Sequence, residues 1–188
     1  WGAPVGPRVL PGDYTVRLTV DGNTIEKPLT IASDPRLDTP AEALQEQLDL
    51  LLKIRDRLSD TNNAVTRVRS VRTQIEDWEK RVDGADSAES ITAAGKEARE
   101  ALNGIEAELI DTTSDSPLMA PARLFDKLNA LTEFVASADG ATPKQGHEVF
   151  EDLSMRLDDL LETLDGIISS KVRAFNDAVQ AAKLPPVG

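Results

Sequence analysis

Apolar residues recur at steps of three or four along one long stretch: Leu44, Leu48, Leu51, Ile54, Leu58, Val65, Val68, Val71, Ile75, Trp78 and Val82, with Thr61 in the one gap. That spacing keeps one face of a helix apolar from end to end. At about 1.5 Å per residue such a helix is on the order of 60 Å long. A rod of that length needs partners of equal reach, so the pattern predicts a bundle. Its start is expected at Thr39, with Pro40 in the first helical position and Glu42 completing a capping box.

Three further helices follow from the same periodicity. Asp83-Gly84-Ala85-Asp86 turns the chain, and Asp86 with Glu89 forms a second capping box ahead of a helix over roughly 87–111. Ile91, Ala94, Ala98, Leu102, Ile105 and Leu109 face inward there, and the small residues Ala94, Gly95, Ala98 and Ala101 permit close approach of a neighbour. Residues 112–120 are polar, carry Pro117 and interrupt the helix. A third helix over about 121–138 buries Leu124, Leu128, Leu131 and Val135. Thr142-Pro143-Lys144-Gln145 repeats the cap signature, and the last helix runs to about Lys183, with Phe150, Leu153, Leu157, Leu160, Leu164, Ile167, Phe175 and Val179 inward. Leu184-Pro185-Pro186 ends it.

The amino-terminal segment has a different period. Tyr14, Val16, Leu18 and Val20 alternate with Thr15, Arg17 and Thr19, the pattern of a strand with one apolar face. Asp21-Gly22-Asn23 suits a hairpin turn, and Ile25, Leu29 and Ile31 continue the alternation on a second strand. Pro28 cannot donate to a ladder and marks an edge. Two strands alone are marginal in water. Either the helices cover this hairpin, or the rest of its sheet lies upstream.

These elements give a mainly α fold: a long antiparallel helical bundle preceded by a β-hairpin. The expected division is 1–33 for a β-hairpin segment, then 34–39 as a linker and 40–188 as the bundle. The first and last helices match in length, and the two middle ones placed end to end match them both. The leading arrangement is therefore three-stranded with a broken middle helix, and a four-helix up-down bundle is the alternative.

Composition narrows the function classes. The 188 residues carry a formal net charge of −12, which argues against nucleic acid and anionic membranes as partners. No apolar run approaches the roughly 20 residues of a membrane helix. Aromatics are 4% of the chain, so the core is aliphatic. There is no cysteine, which excludes disulfides and thiolate metal sites. The chain opens on Trp1 without an initiator Met or a signal-peptide pattern, as a fragment or processed form does.

No reactive constellation emerges, and no catalytic, cofactor-binding or metal-binding residue is assigned. His147 is the sole histidine, and His147-Glu148-Val149-Phe150-Glu151 lacks the second imidazole of a zinc-protease helix. Glu151, Asp152, Asp158, Asp159, Glu162 and Asp165 fall between inward positions and belong to a solvated face rather than an acid/base pair. Asp83, Asp86 and Glu89 do not have EF-hand spacing. Residues 61–75 contain Arg67, Arg69 and Arg72 and no acid, and a helical hairpin about Gly84 places them opposite Glu97, Glu100, Glu106 and Glu108. Trp78 lies on the inward stripe. Tyr14 follows Leu10-Pro11-Gly12-Asp13, as in the tyrosine corner of immunoglobulin-like sandwiches, where the hydroxyl bonds to upstream backbone.

The run Leu10-Pro11-Gly12-Asp13-Tyr14-Thr15-Val16-Arg17-Leu18-Thr19-Val20-Asp21-Gly22, followed by Asp34-Pro35-Arg36, resembles the tail of large exported bacterial proteins that carry BNR-repeat, sortilin-like β-propellers. Ser116-Pro117-Leu118, Lys127-Leu128, Ser137-Ala138-Asp139, Pro143, Gln145, Glu148-Val149-Phe150 and Ala174-Phe175-Asn176 extend that likeness. Such proteins are often labelled glycosyl hydrolases or sialidase-like. The resemblance implies export, a strand pair from a sandwich and a helical C-terminal module; any glycosidase chemistry belongs to the propeller, of which this chain has no blade. The expected function is a non-catalytic interaction or scaffold module whose partner is an upstream domain or a second copy. The alternatives are an accessory part of a hydrolase whose site lies upstream, with 112–120 as the contributing loop, and a self-association module.

Overall fold

The computed structural model describes residues 6–82, 88–112 and 121–182. Strands β1 (Gly12–Val20) and β2 (Asn23–Ile31) form an antiparallel hairpin. Helices α1 (Ala41–Val82), α2 (Ala88–Leu109), α3 (Leu124–Val135) and α4 (Lys144–Ile167) follow, then a π-helical turn (Ile168–Val172) and α5 (Arg173–Ala181).

The apolar stripe of α1 forms the seam of the bundle. Ile54, Val68 and Val82 are fully enclosed, and Leu51, Val65 and Ile75 nearly so. Thr61 is also fully enclosed, and its hydroxyl donates to the Arg57 carbonyl at 2.9 Å. A hydroxyl satisfied within its own helix can be buried without a further partner, so the seam accommodates the polar residue in the gap. Trp78 is half-buried against the core, with the Arg81 guanidinium 5.2 Å from its ring centre.

Helices α2 and α3 take successive halves of α1. Gly95 and Glu106 of α2 face Ile75, Arg69 and Arg72 in the carboxy-terminal half of α1. At the other end, Gln47 Nε2 donates to the Val135 and Ala138 carbonyls at the end of α3, both at 2.6 Å. Glu108 and Arg123 stand 4.0 Å apart where α2 ends and α3 begins. Helix α4 runs parallel to α1, because His147, Asp158 and Asp165 meet Glu46, Arg57 and Arg67 in ascending order. The body is thus three rods with the middle one divided into α2 and α3, and Leu102, Leu128, Leu157 and Leu164 fill the space between them.

Two helix starts differ from expectation, for one reason. In each case the proline after the threonine stands just before the first helical residue, Ala41 or Lys144, and Pro143 is extended, with φ −59° and ψ 145°. The helix therefore begins one residue later, and the proline carbonyl takes the first turn: the Pro40 carbonyl accepts from Leu44 N–H and the Pro143 carbonyl from Gly146 N–H. Each threonine is displaced from the capping position. The Thr39 hydroxyl donates instead to the Asp139 carbonyl at 2.7 Å, and the Thr142 hydroxyl is buried without a partner. Neither capping box with Glu42 or Gln145 forms. The box expected from Asp86 and Glu89, the turn at 83–86 and the stop at 184–186 lie outside the described residues. Helix α3 is shorter than expected and opens with the Asp126 carboxylate accepting from Arg123 N–H at 2.9 Å.

The last rod is not one continuous α-helix. At Ile168–Val172 it widens into a π turn, and both Ser169 and Ser170 hydroxyls donate to the Gly166 carbonyl, at 3.1 and 2.6 Å. Ile168 and Val172 pack against the core through the turn, and Phe175 returns to it, 2% exposed.

Candidate functional site

The hairpin is built by its turn. Asp21 and Gly22 form a two-residue loop with both φ positive, 50° and 80°, and Val20 faces Asn23 across it. This is the loop whose twist matches that of paired strands. Register then sorts the side chains. Tyr14, Val16, Leu18 and Val20 share one face with Leu29, Lys27, Ile25 and Asn23. Asp13, Thr15, Arg17 and Thr19 share the other with Thr30, Pro28, Glu26 and Thr24. On this polar face Arg17 pairs with Glu26 at 2.6 Å, Thr30 donates to Asp13 at 2.7 Å, and Thr19 meets Thr24 at 3.1 Å.

The apolar face has no cover. Val16, Leu18, Val20, Ile25 and Leu29 are 46–59% exposed. Among the described residues β1 and β2 pack against each other, and only the Ile31 end of β2 adjoins a helix. Of the two arrangements open from sequence, the one in which the helices cover the hairpin does not occur. Five neighbouring apolar side chains on one face of a sheet form the kind of patch that marks an interaction surface. Tyr14 anchors the base of the hairpin: its hydroxyl donates to the Leu10 carbonyl at 2.7 Å, the bond expected of a tyrosine corner.

Where the hairpin meets the bundle there are two adjoining crevices. One, of about 240 Å³, lies between Leu10, Ile31 and Leu37 and the α1 residues Leu44, Leu48 and Leu51. The other, of about 640 Å³, is rimmed by Glu42, Glu46, Asp49, Lys53 and His147. His147 is half-buried there rather than solvated, with Nε2 3.1 Å from Glu46 Oε1, an ion pair whenever the ring is protonated. The approach to the bundle is held by Arg8 against Asp139 at 3.2 Å, and by Asp34, which takes the Arg36 backbone N–H and guanidinium. That guanidinium holds the Asp34 carboxyl below the usual carboxylate range.

The carboxylates of α4 are dispersed. Glu151, Asp159 and Glu162 are exposed. Asp152 pairs with Arg156 at 3.0 Å, Asp158 with Arg57 at 2.9 Å and Asp165 with Arg67 at 2.6 Å. Among the described residues no three potential ligands converge on a metal position. Glu89 lies in the first turn of α2, and Asp83 and Asp86 lie outside the described residues, as do 113–120 of the candidate loop.

The charge match between α1 and α2 is narrower than sequence suggests. Arg69 and Arg72 both bond Glu106, and Arg72 also donates to Asn103 at 2.9 Å. Arg67 points to α4 instead. Glu97 lies 3.8 Å from Lys171, Glu100 3.9 Å from Lys96, and Glu108 is the one that meets Arg123. Glu106 is buried, which the pairing alone does not imply. The signal was its position four residues after Leu102, on the inward stripe of α2.

No protein-family model matches the chain, no curated protein matches it, and no solved structure matches it. No helix among the described residues is long and apolar enough to cross a membrane.

Proposed function

We propose that this chain is a non-catalytic scaffold and interaction module belonging to a larger exported bacterial protein, with the apolar face of the hairpin packing against β-structure supplied by another domain. The observation that carries this reading is the apolar face of Val16, Leu18, Val20, Ile25 and Leu29, which the chain's own helices leave bare. A face of this kind adds little to the stability of the chain that carries it and gains its burial on docking. The Tyr14–Leu10 bond supports the sandwich part of the reading, since that corner belongs to immunoglobulin-like sheets. The resemblance of residues 10–22 and 34–36 to the tails of propeller-bearing exported proteins supports the rest. Arg57, Arg67, Arg69 and Arg72 of α1 pair with carboxylates on the neighbouring rods, so the bundle acts as a stiff spacer behind the hairpin.

Two measurements test the proposal. The double variant Leu18→Lys/Ile25→Lys is expected to lose hydrophobic-dye binding while its melting temperature stays within a few degrees of the parent. A collapse in melting temperature would make the face part of the chain's own core and end the docking reading. Glycosidase and esterase substrates are expected to give no turnover. Turnover that disappears in His147→Ala would replace the scaffold reading with an enzymatic one.

A further inference from the structure

The two edges of the hairpin are not equivalent. In a hairpin closed by a two-residue loop the flanking pair, Val20 and Asn23, is hydrogen-bonded, and bonded pairs then alternate along the ladder. The even-numbered residues of β1 therefore aim their backbone groups at β2, while Asp13, Thr15, Arg17 and Thr19 aim theirs outward. On β2 the outward set is Thr24, Glu26, Pro28 and Thr30. Pro28 has no N–H, so the outer edge of β2 is interrupted at its middle, a common way of blunting an edge. The outer edge of β1 has no proline, and its pairing runs without a bulge from Gly12 to Val20. Among the described residues no strand pairs with it.

We propose that β1 pairs edge to edge with β1 of a second copy of this chain, antiparallel, about a two-fold axis at Thr15. Charge selects both the partner and the register. With the axis at Thr15, Asp13 faces the second copy's Arg17 and Arg17 faces the second copy's Asp13. Opposite charges directly across a ladder are stabilising and like charges are not. An axis at Arg17 sets arginine against arginine, an axis at Asp13 sets carboxylate against carboxylate, and an axis at Val16 makes no charge pair. In the chosen register Arg17 lies between its own Glu26, at 2.6 Å, and the second copy's Asp13. On the apolar face Tyr14 meets the second copy's Val16, an aromatic and β-branched pair. The product is a four-stranded sheet with the apolar faces of both hairpins on one side and Pro28 on each outer edge. This inference concerns the edge of β1, whereas the scaffold reading concerns its face, so the two fail separately.

The chain has no cysteine, which makes cross-linking specific. In a hydrogen-bonded antiparallel pair the Cα atoms stand about 5.5 Å apart, within the span a disulfide bridges. Thr15→Cys is expected to form a covalent dimer at least about tenfold faster than Thr19→Cys, whose sulfurs would be separated by about eight residues of strand, on the order of 27 Å. Equal rates, or a faster Val16→Cys dimer, overturn the register and the charge argument with it. Sedimentation equilibrium supplies the second arm. A strand pair is smaller than the roughly 1,200 Å² interface of stable complexes, so association is read at up to about 1 mM. A reversible dimer is expected. Thr15→Pro, which removes one outward N–H and leaves the ladder to β2 intact, is expected to weaken it by about tenfold or more. Arg17→Asp is expected to weaken it also, and Asp13→Arg/Arg17→Asp to restore it. A monomer throughout overturns the proposal. So does a dimer that survives Thr15→Pro and is lost in Ile25→Asp, which would be packing face to face. Strand content by circular dichroism confirms that each variant keeps its hairpin.

Discussion

Glu106 of α2 is 3% exposed and accepts a bond from Arg72 of α1 at 2.7 Å, with Arg69 on its other oxygen. The burial is one-sided, because the Arg69 and Arg72 side chains are 55% and 29% exposed. Removing a counter-charge from a buried ion is far more costly than replacing the ion by an apolar group. Arg69→Ala/Arg72→Ala strands the carboxylate in the seam and is expected to lower stability by about 3 kcal/mol. Glu106→Met lets both guanidinium groups turn to water and is expected to change stability by less than about 1 kcal/mol. Urea unfolding of both variants at neutral pH checks the asymmetry; equal losses would mean that the pair acts through packing rather than charge.

Two glycines of α2 make a matched experiment. A Cβ at Gly95 would stand 3.1 Å from Ile75 Cγ2 and closer still to the Glu79 carboxylate, which Arg99 holds at 3.1 Å. A Cβ at Gly104 meets nothing within 4 Å. Alanine gains about 0.8–1 kcal/mol of helix propensity over glycine at either position. Gly104→Ala is therefore expected to stabilise the protein by about 0.5–1 kcal/mol. Gly95→Ala is expected to destabilise it by about 1 kcal/mol, since the methyl group displaces the Glu79 carboxylate from Arg99 and presses on Ile75. Thermal melts of the two variants should move in opposite directions.

The rods were legible because hydrophobic periodicity is a property of one chain segment and its face. Leu44 to Val82, Ile91 to Leu109, Leu124 to Val135 and Phe150 to Val179 all contribute buried or half-buried side chains to the seam. The hairpin and its two faces were legible from alternation and from Asp21-Gly22. Features that depend on a second element were not. Thr39 and Thr142 look like caps until the helices start one residue late and leave Pro40 and Pro143 in the capping position. Arg67 looks like a partner for α2, but it lies on the α4 side of α1. The bare face of the hairpin depends on where the helices are not, which no local pattern encodes. The candidate surface was thus visible as a strand pair, while its exposure required the fold.

Tyr14→Phe isolates the bond at the base of the hairpin. The ring stays, and only the hydroxyl that donates to the Leu10 carbonyl is lost. A single neutral hydrogen bond contributes about 0.5–1.5 kcal/mol. Only the Ile31 end of the hairpin adjoins a helix among the described residues, so the loss should remain local. Amide exchange in β1 and β2 is expected to accelerate about three- to tenfold, consistent with that energy. Exchange in α1 should be unchanged. Acceleration across the whole chain would show that hairpin and bundle unfold as one unit.

The π turn behaves as one residue too many in the last rod. From Ile167 to Phe175 is eight positions, and an α-helix at about 100° per residue would leave these two side chains roughly 80° apart. Widening the turn over Ile168–Val172 absorbs the excess and returns Phe175 to the core. Deleting Ser169 shortens the interval to seven positions, for which a regular α-helix places both side chains within about 20° of each other. The deletion is expected to be tolerated, with a stability change under about 1 kcal/mol, because the contribution of Phe175 to the core is retained. Inserting an alanine after Ser169 demands a second accommodation and is expected to cost about 3 kcal/mol or more, comparable to expelling a buried phenylalanine. If the deletion proves as damaging as the insertion, the π turn is required for a contact of its own rather than for phase, and Ile168 and Val172, which pack through it, become the residues to substitute next.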